Sequence, residues 1–88
     1  MPQVKLFGNL RDHAPSALQE ITAPTVGDAL SSLCAGNVPL YAALFEGEEL
    51  RPHVRVMVNG RDIGLEQGLA TRLSTTDQIA IFPPLAGG

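Results

Sequence analysis

The stretch TVGDALSSLC, residues 25–34, changes the period of the chain. Val26, Leu30 and Leu33 fall at i, i+4 and i+7, one stripe of a helix. Thr25 is placed to cap that helix. Asp28, three residues on, resembles the acid of a capping box and suits the positive end of the helix dipole. Gly36 and Asn37 follow and are expected to end the helix in a left-handed conformation. A helix with one apolar stripe has to cover something, and the segments on either side of it read as strands.

Before the helix, QVKLFG alternates, with Val4 and Leu6 on one face and Lys5 and Phe7 on the other. NLRDHAPSA reads as a polar turn. LQEITA alternates again, so the first two strands are expected to form a hairpin. After the helix, PLYAALFEG reads as a short helical turn started by Pro39 and stopped by Gly47. HVRVMV is a strand with Val54, Val56 and Val58 on one face and His53, Arg55 and Met57 on the other. Asn59-Gly60 is a hairpin turn, and RDI is a short returning strand. Residues 64–77 are irregular, broken by Gly64 and Gly68. QIAIF closes the pattern with Ile79 and Ile81 inward and Ala80 and Phe82 outward. Strand, strand, helix, strand, short strand, strand, with one helix across one sheet, predicts an α+β domain. The arrangement is that of the ubiquitin-like β-grasp: a mixed sheet of four to five strands covered by one main helix.

Composition narrows the function. At 88 residues with 44% hydrophobic and 17% charged content, the chain reads as one globular domain. Net charge is −3 with no basic run, which argues against nucleic acid as a partner. The single cysteine, Cys34, excludes an internal disulfide and a Cys-rich zinc site. No apolar run approaches the roughly 20 residues needed to span a bilayer, and MPQVKLFGNL lacks a signal-peptide core. The reading is a soluble cytoplasmic protein with no metal and no membrane partner.

The last residues, IFPPLAGG, are the least ordinary. Pro83 cannot donate to a sheet ladder, and Pro84 forces Pro83 toward an extended conformation. Residues 1–82 are therefore expected to form the domain and residues 83–88 an extended reactive tail. Extended at about 3.1 Å per residue, the six-residue tail reaches roughly 18 Å. Gly87 and Gly88 lack a Cβ, so their backbone passes through a channel too narrow for other residues.

TTDQIAIFPPLAGG resembles the C-terminal signature of the ubiquitin-like sulfur carriers: the molybdopterin synthase small subunit and the thiamine-pathway and cysteine-synthesis carriers. VKLFGNLRD and TVGDAL extend the likeness over nearly the whole chain. VMVNGRDIGLEQGLATRL is similar to the branch holding the cysteine-synthesis carrier and archaeal small modifiers, and FPPLAGG to the molybdopterin branch. STTD departs from the pattern, since many relatives carry a Gly before the Asp. The resemblance implies that a ubiquitin-activating-like enzyme uses ATP to adenylate the Gly88 carboxylate. Sulfur then replaces AMP, giving a thiocarboxylate. Leu85, Ala86 and Gly87 deliver it, with Pro83 and Pro84, to an acceptor such as the molybdopterin synthase large subunit. Cysteine or thiamine synthesis, and a protein modifier joined to lysines, are the alternatives. On this reading the chain is a non-catalytic subunit that binds no cofactor of its own.

Three further residues stand out. Phe7, Met57 and Phe82 all alternate onto the face opposite the helix, and adjacent apolar side chains on an open face suggest partner docking. Scattered apolar surface residues are common singly; three on one face are less so. Cys34, next to the helix stripe, reads as a small core residue. His13 and His53 carry no ligand pattern, and the acids of FEGEEL read as a solvated loop.

Overall fold

A computed structural model describes residues 2–14, 16 and 18–84. The first strand, β1 (Gln3–Leu6), buries Val4 and Leu6 and turns Lys5 outward, as the alternation predicts. β2 (Leu18–Glu20) returns antiparallel with Gln19 opposite Val4. It is shorter than LQEITA suggested: past Glu20, the Ile21 N–H still donates to the Pro2 carbonyl at 2.9 Å, and regular pairing ends there. The intervening segment is more than a polar turn. Gly8–His13 winds into a 3₁₀ turn that inserts Leu10 into the core. One apolar residue in a polar run has no period, so nothing in the pattern announces it.

The capped helix, α1 (Val26–Cys34), forms as read. The Asp28 N–H donates to Thr25 Oγ1 at 3.2 Å, and that hydroxyl donates to Asp28 Oδ2 at 3.0 Å. One free N-terminal donor is thereby satisfied, a contribution of about 1 kcal/mol. Ala29 and Cys34 join Val26, Leu30 and Leu33 in the core. Gly36 takes the expected left-handed exit at φ +69. Asn37 does not: its φ is −126, and its Oδ1 accepts the Leu40 N–H at 3.2 Å, capping a second helix, α2 (Val38–Leu44). Pro39 lies in the first turn of α2, where its missing N–H costs nothing. α2 stops at Leu44 rather than at Gly47. Gly47, at φ +66, instead turns a small hairpin of β3 (Phe45–Glu46) and β4 (Glu49–Leu50).

β5 (Arg55–Val58) and β6 (Arg61–Asp62) form the second predicted hairpin. Asn59 and Gly60 both adopt positive φ, 52 and 81, as a two-residue turn of this kind demands. β5 begins two residues later than HVRVMV suggested, because His53 lies in a turn at φ 71. Ile63 leaves the returning strand to open a 3₁₀ turn, and a second covers Gly68–Ala70. This irregular segment closes one end of the core, with Leu69 and Leu73 packed against it. β7 (Gln78–Phe82) is the last strand.

The sheet order is β2-β1-β7-β5-β6, with β1 and β7 parallel at the centre and the other pairs antiparallel. Register places Leu6, Ile81 and Val56 side by side, all essentially inaccessible, in one core with the stripe of α1. Burying a side chain of that size stabilises by about 1.5–3 kcal/mol. The mixed five-stranded sheet with its main helix is the expected α+β, ubiquitin-like β-grasp. The second helix and the β3–β4 hairpin are additions that the sequence reading compressed into one turn.

Candidate functional site: the open sheet face and the root of the tail

The face of the sheet away from α1 is laid out in rows by the register. Phe7, one residue past β1, Phe82 and Arg55 form the row nearest the end of β7. Leu18, Lys5, Ala80, Met57 and Asp62 form the next. The Phe7 and Phe82 rings stack with centroids 4.4 Å apart and planes 14° from parallel. Each is half-buried, and Met57 and Ala80 are half-buried as well. Lys5 Nζ lies 5.2 Å from the centre of the Phe7 ring, a cation–π distance. The far border carries an ion pair, Arg55 Nη1 to Asp62 Oδ2 at 3.1 Å. The face is thus an apolar patch flanked by one ammonium and one internally neutralised pair.

The three residues chosen from the alternation do share this face. Met57 lies one strand across from Ala80 and does not join the phenyl stack. The alternation also puts Lys5, Ala80 and Arg55 on this side of their strands, as the register confirms. Leu18 and Asp62 needed the register, which a single sequence does not print.

The tail leaves the domain beside the phenyl stack. The Phe7 N–H donates to the Ile81 carbonyl at 3.0 Å. In a parallel ladder the next rung would run from the N–H of residue 83 to the Phe7 carbonyl. Residue 83 is a proline and has no N–H, so the ladder ends there. Pro83 then rests against Gly8: a Cβ on Gly8 would lie 2.8 Å from Pro83 Cγ. Gly8 is also at φ +61, where glycine is favoured. Consecutive residues Phe7 and Gly8 therefore hold consecutive residues Phe82 and Pro83. The role of Gly8 was not legible, since its contact is with a residue far away in sequence. Leu85, Ala86, Gly87 and Gly88 lie outside the described residues, so their predicted roles rest on sequence.

Elsewhere the described residues offer little chemistry. Cys34 is buried, and burial pushes its thiol up to about 11, so it is a protonated core residue, as read. Among the described residues there is no metal-ligand cluster, and no helix is long and apolar enough to cross a membrane. An open cleft lined by Asn59, Arg61, Glu66, Gln67, Thr71 and Arg72 lies at the opposite end of β7 from the tail. Its carboxylate, Glu66, is paired with Arg61 Nε at 3.0 Å, and its hydroxyl, Thr71 Oγ1, donates to the Gly68 carbonyl at 2.7 Å. Beside it, Ser74–Asp77 forms a tight turn, the Asp77 N–H donating to the Ser74 carbonyl at 3.3 Å. The Ser74 N–H donates to Asp77 Oδ2 at 2.8 Å, Ser74 Oγ to Oδ1 at 2.9 Å, and Asn59 Nδ2 to Oδ1 at 2.8 Å. These donors hold the Asp77 carboxyl below its ordinary range.

A β-grasp that releases an apolar, proline-led tail from a central strand defines a ubiquitin-like carrier or modifier. The chain belongs to the ThiS family, whose profile matches residues 4–88. It is 47% identical over 64 residues to small archaeal modifier protein 3 of Haloferax volcanii, covering 73% of this chain and 70% of that one. The solution structure of small archaeal modifier protein 1 from Methanosarcina acetivorans superposes with a TM-score of 0.86 at 34% identity, covering 99% of this chain and 95% of that one. CysO of Amycolatopsis orientalis, from the crystal structure of its complex with BexX, superposes with a TM-score of 0.87 at 26% identity over 100% of both chains.

Proposed function

We propose that this chain is a sulfur carrier whose Gly88 carboxylate is adenylated by an ATP-dependent partner and converted to a thiocarboxylate. The end of the β1–β7 ladder at Pro83 carries this reading, because Pro83 has no N–H to continue it and the residues that follow in sequence have no charged side chain. A carboxylate is a poor electrophile, with delocalised charge and no good leaving group. One of its oxygens attacks the α-phosphorus of ATP and pyrophosphate departs. The terminal sulfur of a persulfide then attacks the acyl carbon and AMP leaves. A thiol reduces the resulting acyl disulfide, and Gly88 keeps the sulfur as thiocarboxylate.

The carrier contributes placement, which accounts for a large part of many barriers. The face of Phe7, Met57 and Phe82 docks on the activating enzyme while the tail enters its nucleotide site. The acceptor we favour is a large subunit of molybdopterin-synthase type, on the strength of the FPPLAGG motif. The same adenylate serves a second reading, a protein modifier joined through Gly88 to lysines. The 47% identity to a protein named small archaeal modifier protein 3 favours it.

Intact-mass measurement on protein isolated from its host separates the two. A carrier gains the mass difference between sulfur and oxygen at its C-terminus, and a modifier is recovered in high-mass conjugates. Deleting Gly88 is expected to leave the melting temperature unchanged and abolish both products. Full sulfur transfer by the shortened chain refutes both readings.

A further inference from the structure

A groove lies where the β3–β4 hairpin faces the two 3₁₀ turns that follow β6. Its first half is a depression of about 320 Å³ walled by Leu50, Val54, Val56, Ile63 and Leu69. Val56 and Ile63 are buried beneath it, and the other three are half-buried against the same core. A second depression, also about 320 Å³, is bordered by Tyr41 and Phe45. Glu48 and Leu69 belong to both, so the two halves adjoin. Alternation along β5 sends Val56 to this side and Arg55 and Met57 to the sheet face. The groove is therefore separate from the patch of Phe7, Met57 and Phe82.

The walls are held in place without a partner. The Tyr41 hydroxyl donates to the Gly47 carbonyl, and the Tyr41 and Phe45 rings stack at 4.8 Å. The Arg51 N–H donates to the Leu44 carbonyl at 2.8 Å, and Arg51 Nε to the Ala42 carbonyl at 2.7 Å. The hairpin that carries Glu48 is thus tied to α2. On the other wall, a Cβ on Gly27 would lie 3.1 Å from the Leu69 carbonyl oxygen, so α1 and Leu69 pack without slack.

Charge around the groove has one sign. Glu48, Glu49 and Asp62 edge it, and among the described residues no lysine, arginine or histidine lines either half. Asp62 is neutralised by Arg55, but Glu48 and Glu49 enter none of the three ion pairs found among the described residues. An apolar floor under two free carboxylates selects its occupant. The tail FPPLAGG holds no cation and ends in a carboxylate, which these acids repel. A second copy carries a net charge of −3 and is repelled as a whole, as is nucleic acid.

We infer that this groove docks a short segment of a partner protein in which an aliphatic side chain stands beside lysine or arginine. The aliphatic group fills the depression over Val56 and Ile63, and the cation meets Glu48 and Glu49 at the rim. Apolar anchors supply most of the affinity of such contacts, while rim charges set orientation and the rate of encounter. Because the sheet face stays open, this partner and the activating enzyme can hold the carrier at the same time.

Selection of random peptides displayed on phage against the full-length protein, followed by amide chemical-shift mapping of synthetic copies, tests this. The expected result is a family of peptides with a leucine or isoleucine next to lysine or arginine, shifting the amides of Leu50, Val56, Ile63 and Leu69. Replacing the peptide's aliphatic residue by alanine should abolish binding, and added salt should weaken it. Glu48→Lys with Glu49→Lys should weaken it by at least about tenfold, since like charges then face each other; both positions are exposed, so the melting temperature should hold. Phe82→Ala should leave the affinity unchanged. Groove-binding peptides that lack a cation overturn the inference, as does binding that survives the double reversal or disappears in Phe82→Ala. No enriched family at the groove overturns it too. If the enriched peptides map only to Phe7, Met57 and Phe82, it fails while the docking role of the sheet face stands.

Discussion

Gly8→Ala and Gly36→Ala form a matched pair that tests the anchoring of the tail. Both glycines are exposed and left-handed, at φ +61 and +69. An alanine at either position carries the left-handed penalty of about 1–2 kcal/mol. At Gly36 nothing lies within 4 Å of the new Cβ, so the penalty ends there. At Gly8 the new Cβ falls 2.8 Å from Pro83 Cγ and 3.3 Å from Pro83 Cδ. A proline ring has no rotamer that clears such a contact, so either β1 or the root of the tail has to move. Overpacking of that kind adds about 1–3 kcal/mol where the surroundings hold firm. In a domain of this size about 1 kcal/mol shifts the melting temperature by about 4–8 °C. Urea denaturation of both variants, beside the rate of Gly88 adenylation by the activating partner, separates the outcomes. Gly36→Ala is expected to lose stability and keep its rate. Gly8→Ala is expected either to lose more stability or to keep it by displacing Pro83, in which case the rate falls. Equal stability losses with unchanged rates in both would refute the idea that Gly8 positions the tail.

Other consequences can be checked on the same protein. Ile81→Ala should cost about 2–5 kcal/mol, since the side chain is fully enclosed between Leu6 and Val56. Phe82→Ala should cost about 0.5–1.5 kcal/mol from the lost stack, yet weaken partner binding by about 2 kcal/mol or more; thermal melts with a binding titration distinguish them, and the reverse order would mean the register of β7 is wrong. Cys34 favours its neutral form in the fold, so stability should be level below pH 9 and fall as pH rises from about 9 to about 11; Cys34→Ala should flatten that limb of a urea-denaturation pH series. Asp77 has its carboxyl held low by Ser74 and Asn59, so its contribution is present above its ordinary value near 3.8 and is lost as pH falls through the lower folded value. An acid-limb profile that is the same in Asp77→Asn would remove that assignment.

Much of the fold was legible because its signals are local. Thr25 and Asp28 cap one helix, Asn59-Gly60 turns one hairpin, and the alternation of Ile79 and Ile81 needs no distant partner. The misreadings share a different cause. Asn37 suits the end of one helix as well as the start of the next, and only Gly36 taking the left-handed position frees it to cap Leu40. Gly47 punctuates whatever precedes it, so a helix followed by a hairpin read as one element. Leu10 enters the core from a turn whose composition is polar. At the site, alternation found Phe7, Met57 and Phe82, but the phenyl stack and the Gly8–Pro83 contact depend on β1 and β7 lying parallel and in register.

The same register explains why a partner should engage the face rather than an edge. β2 and β6 border the sheet with three and two residues. Edges that short offer few backbone groups to an added strand, a common way to blunt unwanted pairing. β7, by contrast, is paired on both sides, to β1 over Gln78–Ile81 and to β5 over Ile79–Phe82. Force applied to the tail is therefore resisted by two ladders and a buried pair of isoleucines, and peeling β7 away means opening the core. The domain serves as a rigid handle, with the stacked phenyl rings beside the exit of the tail. A partner that grips those rings fixes the origin of residues 83–88 at the same time. Recognition of the face and delivery of the carboxylate are then one event, so losing Phe7 or Phe82 is expected to slow activation even with every residue of the tail in place.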